Sequence, residues 1–137
     1  MFATAMIATV AAQCTLPGTL GNGIVGDADG TGGACVAGAA LADAATCAVK
    51  VNAGYSADGG TTAYSCAGST LTSATVTATG CLADYRQSAG TTAADGVCTV
   101  CDATNTVADK PDAAAFGGTA TVCECTNSYT GADCATA

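Results

Sequence analysis

Ten cysteines in 137 residues, beside only 19 leucine, isoleucine, valine and phenylalanine residues, constrain this chain more than any other feature of it. Half of the residues are nominally hydrophobic, but 33 of them are alanine. Burying a large aliphatic or aromatic side chain contributes roughly 1.5–3 kcal/mol and an alanine far less, so a conventional core is too small to offset the entropy of ordering the chain. Disulfides supply what the core lacks. Each contributes on the order of 3 kcal/mol for a loop of about twenty residues, and an even count permits full pairing. Cys14, Cys35, Cys47, Cys66, Cys81, Cys98, Cys101, Cys123, Cys125 and Cys134 are therefore all expected in disulfides. A framework of this kind belongs to an oxidising compartment, so the expected location is secreted, extracellular or at the cell surface.

Eleven acids against Lys50, Arg86 and Lys110 give a net charge of −8, which excludes the basic footprint of a nucleic-acid or anionic-lipid binder. Histidine is absent. That removes the commonest general base, and no Ser-His-Asp or Cys-His arrangement can be drawn; the chain is not read as an enzyme and no cofactor is called for. Asp27-Ala-Asp29-Gly30 resembles the start of a calcium loop, but the later ligands and the terminal glutamate are missing, which leaves an Asp-Gly turn. Cys98-x2-Cys101 with Cys123-x-Cys125 would make a tetrahedral thiolate set for zinc, yet six further cysteines would then need explaining, whereas disulfides explain all ten.

Residues 1–13, MFATAMIATVAAQ, form an apolar, signal-like segment with Val10 and Ala12 placed for cleavage before Gln13, although a basic leader is lacking. No other stretch approaches the roughly 18 apolar residues of a membrane span. From Cys14 the chain repeats. Tyr55-Ser-Ala-Asp-Gly-Gly60-Thr61-Thr62-Ala63 and Tyr85-Arg-Gln-Ser-Ala-Gly90-Thr91-Thr92-Ala93 share Tyr-x4-Gly-Thr-Thr-Ala at an offset of thirty residues, and Gly30-Thr31 falls thirty earlier. Periods of about 20–50 residues mark stacked supersecondary units. Within a unit the reading is strand, glycine-rich turn, strand: Cys47–Asn52 and Thr61–Cys66 make a hairpin around Gly54-Tyr55 and Asp58-Gly59-Gly60. Leu71–Thr79 is a further extended stretch rich in β-branched residues. One helix is expected at Val36–Lys50, where alanine and leucine dominate.

The tail reads Cys123-Glu-Cys125-Thr-Asn-Ser128-Tyr129-Thr-Gly131-Ala-Asp-Cys134. It resembles the closing half of an EGF-like module, with Ser128 where that family has glycine. Taken over residues 81–137, the resemblance implies Cys81–Cys101, Cys98–Cys123 and Cys125–Cys134. The spacing of Cys98 to Cys101 is tight for the family, and that of Cys101 to Cys123 long. The competing connectivity pairs neighbours, Cys14–Cys35, Cys47–Cys66, Cys81–Cys98, Cys101–Cys123 and Cys125–Cys134, each stapling one hairpin; it resembles the laddered cysteine-rich repeats of growth-factor and ephrin-type receptors. The sequence leaves both open.

The expected organisation is thus a signal-like segment at 1–13, a cysteine-rich repeat region at 14–80 and an EGF-like module at 81–137. The fold class is small, disulfide-rich and mostly β, built of tandem stapled hairpins in an elongated array. The expected function is that of a structural or interaction protein: an adhesive, matrix or assembly subunit whose partners are other proteins or copies of itself, with 23 threonines leaving room for O-linked glycan. The alternative is a ligand binder for ice or glycan. It rests on Thr75, Thr77 and Thr79, which alternate along one extended stretch and would share a strand face.

Overall fold

A computed structural model describes residues 12–82, 84–90, 92, 94–101, 114–116, 123 and 134. The protein is mostly β, with several small antiparallel sheets and no helix among the described residues. The strands are β1 (Gln13–Thr15), β2 (Ile24–Gly26), β3 (Ala40–Ala42), β4 (Thr46–Val51), β5 (Tyr55–Ala57), β6 (Ala63–Ala67), β7 (Thr70–Thr72), β8 (Ala78–Cys81), β9 (Tyr85–Ala89), β10 (Val97–Val100) and β11 (Ala114–Ala115). They form a four-stranded sheet β2-β4-β6-β7, a three-stranded sheet β11-β8-β5 and the pairs β1-β3 and β10-β9. The signal-like segment falls largely outside the described residues, but its last residue, Gln13, opens β1 opposite Ala42. β8 straddles the boundary drawn between residues 80 and 81.

Four disulfides join described cysteines: Cys14–Cys66, Cys35–Cys47, Cys81–Cys98 and Cys101–Cys123. Cys134 is also disulfide-bonded, whereas Cys125 and the expected Cys125–Cys134 bridge lie outside the described residues. The second half follows neighbour pairing, not the order implied by the EGF-like resemblance: β10 pairs with β9 so that Cys98 lies opposite Gln87, beside the end of β8 that carries Cys81. In the first half neighbour pairing gives way to nesting, with Cys35–Cys47 enclosed by Cys14–Cys66. The sheet register explains this. Cys47 faces Tyr64 across β4 and β6, which leaves Cys66 as its diagonal neighbour at about 7–8 Å, beyond the Cα separation of about 4.4–6.8 Å that a disulfide spans. Residues 33–35 run beside β4 instead, with Cys35 N–H donating to the Ala48 carbonyl at 3.0 Å, and deliver Cys35 to Cys47.

The helix expected at Val36–Lys50 is replaced by β3, a turn and β4. A helix would hold Cys35 and Cys47 about 18 Å apart at 1.5 Å per residue, but their Cα atoms are 5.0 Å apart. Gly38 and Ala44 both take positive φ, 72° and 60°, which breaks any helical run. The expected hairpin of Cys47–Asn52 with Thr61–Cys66 appears as the β4–β6 pair. Between these strands the chain leaves the sheet to form β5, which pairs with β8. The true two-residue hairpin is β6–β7, whose central residues Gly68 and Ser69 both have positive φ, the geometry of a type I′ turn.

The main core lies in the four-stranded sheet. Leu16, Val49, Tyr64 and Val76 pack with the Cys35–Cys47 bridge, and Leu20, Ile24 and Val51 close around them. A second buried cluster consists of Cys101, Cys123 and Cys134. Sulfur thus occupies positions that larger domains fill with leucine or isoleucine, as the composition requires.

Candidate functional site

Among the described residues the thirty-residue period is a structural unit that occurs three times. In each, a first strand is answered by an antiparallel return strand: β2 by β4, β5 by β8, β9 by β10. The closing pairs are Ile24 with Val51, Tyr55 with Cys81 and Tyr85 with Val100. Each unit begins with the same turn, in which Ile24, Tyr55 and Tyr85 donate their N–H to the carbonyls of Gly21, Asn52 and Leu82 at 3.3, 3.2 and 3.2 Å. The residue before the first strand has positive φ every time: Gly23 at 66°, Gly54 at 87° and Asp84 at 67°. The residue after each return strand then donates back to it. Asn52 N–H bonds the Gly23 carbonyl at 2.7 Å, Leu82 N–H that of Gly54 at 2.9 Å, and Cys101 N–H that of Asp84 at 2.8 Å.

The tyrosines make these joints specific. The ring of Tyr55 lies against Gly23, so close that a Cβ on the glycine would come within 2.7 Å of it, and the ring of Tyr85 lies on Gly54 in the same way. The aromatic residue that opens one unit therefore seats on the glycine that opens the unit before. Glycine is required twice over there, for its positive φ and for the missing Cβ. Tyr55 also packs edge-on against Phe116, with ring centroids 6.1 Å apart.

Gly60, Thr61 and Thr62 of the first Gly-Thr-Thr element, and Gly90 and Thr92 of the second, sit in loops outside the strands. Gly60 lies on the peptide joining Thr75 to Val76, and Gly90 on the peptide joining Asp95 to Gly96, just ahead of the return strands β8 and β10. In both loops two successive N–H groups converge on one threonine carbonyl. Thr75 and Val76 donate to Thr61, each at 3.0 Å, and Asp95 and Gly96 donate to Thr92 at 3.2 and 2.8 Å. Side chains complete each clip. Thr61 N–H donates to Thr75 Oγ1 at 2.9 Å and the two hydroxyls lie 3.0 Å apart; Thr92 N–H donates to Asp95 Oδ1 at 2.9 Å.

Carboxylates take part in the clips and in the turns beside them. Asp58 accepts from Thr77 Oγ1 at 2.7 Å, Gly60 N–H at 3.0 Å and Thr77 N–H at 3.1 Å; the Thr77 hydroxyl first and then the two amides hold its pKa down to about 2. Asp43 accepts from Gly68 N–H at 2.7 Å, tying the β6–β7 turn to the loop ahead of β4. Asp27, singled out as part of a calcium-like run, instead bonds Lys50 at 2.9 Å and accepts from Asp29 N–H at 3.4 Å. Its pKa is lowered, chiefly by the Lys50 bond. Cys98 and Cys101 belong to separate disulfides.

The threonine row does not form a strand face, because Thr75 and Thr77 lie in the loop between β7 and β8. Its hydroxyls are turned to internal partners: Thr75 to Thr61, Thr77 to Asp58, and Thr79 to Ser56 Oγ at 3.2 Å. Beside this loop runs an open groove of about 520 Å³, lined by residues 19–22, Ile24, residues 74–78 and Ala94. One side chain on its wall bridges units: Asn22 Nδ2 donates to the Gly96 carbonyl at 2.7 Å, linking the turn that opens the first unit to the entry of β10 in the third.

Fold and joints together define a disulfide-rich protein of small antiparallel β units. Comparison with protein-family models, curated proteins and solved structures finds no match for this chain. Among the described residues there is no helix long and apolar enough to cross a membrane.

Proposed function

We propose that this protein is a secreted or cell-surface structural and interaction protein, an adhesive, matrix or assembly subunit built from tandem disulfide-stapled β units. The observation that carries the reading is the joint repeated at Gly23–Tyr55 and Gly54–Tyr85. A ring seated on a bare backbone, with a carbonyl accepting the next unit's N–H, fixes each unit on its neighbour without an aliphatic core. Such a row holds its shape by covalent and backbone means and leaves its outer surfaces for partners. Val36, Val97, Val100 and Leu82 are exposed there, between 42% and 63%, as anchors for other proteins or copies. The first strands β2 and β5 lie at the edges of their sheets, and unpaired edge amides are templates for strand addition. Four disulfides between described residues agree with an oxidising environment.

Sedimentation of the purified protein over a range of concentration and ionic strength tests the assembly reading. With a charge of −8 per copy, self-association should strengthen as salt screens the repulsion. A protein that stays monomeric from low to high salt at high concentration, and captures no extracellular protein, would overturn it.

A further inference from the structure

We propose that Asn22-Gly23 is a site of spontaneous deamidation, guarded by the folded turn, and that its conversion releases the third unit from the first. Glycine after asparagine leaves the backbone nitrogen uncrowded, so Gly23 N can attack Asn22 Cγ. The new C–N bond forms as the Cγ–Nδ2 bond breaks and ammonia leaves, giving a five-membered succinimide. Water then opens the ring at either carbonyl to aspartate or isoaspartate. The sum is one water consumed and one ammonia released, with no change of oxidation state. Water reaches the site directly, because Asn22 lines the open groove.

The fold opposes the first step. Asn22 Nδ2 is held by the Gly96 carbonyl, Gly23 is fixed at φ 66°, and its carbonyl is engaged by Asn52 N–H. The turn is closed by Ile24 N–H on the Gly21 carbonyl with positive φ at Gly23, the type II position that suits glycine, so the backbone on either side of the Asn22–Gly23 peptide is held until the turn opens. Conversion then has a local consequence. Aspartate at position 22 sets an acceptor against the Gly96 carbonyl where a donor stood. Isoaspartate also lengthens the backbone inside the turn closed by Ile24 N–H on Gly21. Of the bonds to the two earlier units, Cys98 N–H still reaches the Tyr55 hydroxyl at 3.4 Å, and β10 keeps its pairing with β9 and the Cys81–Cys98 bridge, so the loosening centres on the entry of β10.

The test uses the full oxidised chain, with the reduced and alkylated chain beside it, both incubated at mildly alkaline pH and mapped for aspartate and isoaspartate at position 22. Product should accumulate several-fold faster in the reduced chain. In oxidised Asn22→Asp, amide exchange should rise at Val97–Val100 while β6 and β7 exchange as in the parent. Equal rates in the two chains, or no product at 22 in either, would overturn the site. Unchanged exchange at β10, or a rise spread equally over β6 and β7, would overturn the release.

Discussion

The ring of Tyr85 rests on the backbone of Gly54, thirty-one residues earlier, in the place where a Cβ would otherwise stand. Tyr55 stands in the same relation to Gly23. A chain poor in large aliphatics thus places two of its tyrosine rings at the contacts between units, where flat apolar area meets uncovered backbone, while Tyr64 joins the few aliphatics around the Cys35–Cys47 bridge in the main core.

Gly54→Ala should therefore be among the most damaging single substitutions outside the cysteines. The left-handed conformation costs an L-residue about 1–2 kcal/mol, and displacing the Tyr85 ring adds a packing cost of about 1–3 kcal/mol. Asp84 occupies the equivalent place at φ 67° with a Cβ already present, so Asp84→Gly should stabilise by up to about 1 kcal/mol. Denaturant midpoints of the two variants under oxidising conditions should move in opposite directions.

Disulfide removal should rank by loop length. Cys14–Cys66 spans 52 residues and Cys35–Cys47 spans 12, so chain entropy predicts losses of about 4 and about 3 kcal/mol respectively for the paired Cys→Ser variants. Cys35 and Cys47 are also core residues beside Val49 and Tyr64, so replacing them with alanine in place of serine should recover part of the second loss. Urea unfolding of the paired variants measures both.

The cysteine count and the shortage of aliphatics made the fold class legible, and the Tyr-x4-Gly-Thr-Thr pattern marked two of the three units. The first unit was marked only by Gly30-Thr31, because Ile24 stands where Tyr55 and Tyr85 stand later. The signal was still present, as Gly21-Asn22-Gly23-Ile24 aligns with Asn52-Ala53-Gly54-Tyr55. The Cys14–Cys66 closure was hidden for a different reason. Cysteine order carries no register, and it is the pairing of Cys47 with Tyr64 that carries Cys66 away from it. The threonines misled through alternation, which marks a strand face only where the chain stays in a sheet; Asp58 and Thr61 draw Thr77 and Thr75 into clips instead.

Asp58 gives the fold an acid-sensitive clip. Its folded pKa of about 2 lies below the ordinary 3.8, so the unfolded chain takes up the proton more readily. The stabilisation is complete above about pH 4 and is lost as pH falls from there towards 2. Asp58→Asn should lower the thermal midpoint at neutral pH and flatten its fall over that window. A parent-like slope in the variant would assign the acid sensitivity to other carboxylates.

Cys134 is buried and disulfide-bonded, and the eight-residue spacing from Cys125 with Tyr129 and Gly131 between them makes Cys125 its expected partner. Peptide mapping of the oxidised protein should recover that bridge together with Cys14–Cys66, Cys35–Cys47, Cys81–Cys98 and Cys101–Cys123. Reduction should abolish the near-UV circular dichroism, because the second buried cluster is made of Cys101, Cys123 and Cys134, and Leu16, Val49, Tyr64 and Val76 in the first pack around a bridge. A chain that keeps its near-UV signal after reduction would show that these residues hold together without sulfur, and that the hydrogen-bonded joints, not the disulfides, keep the units in place.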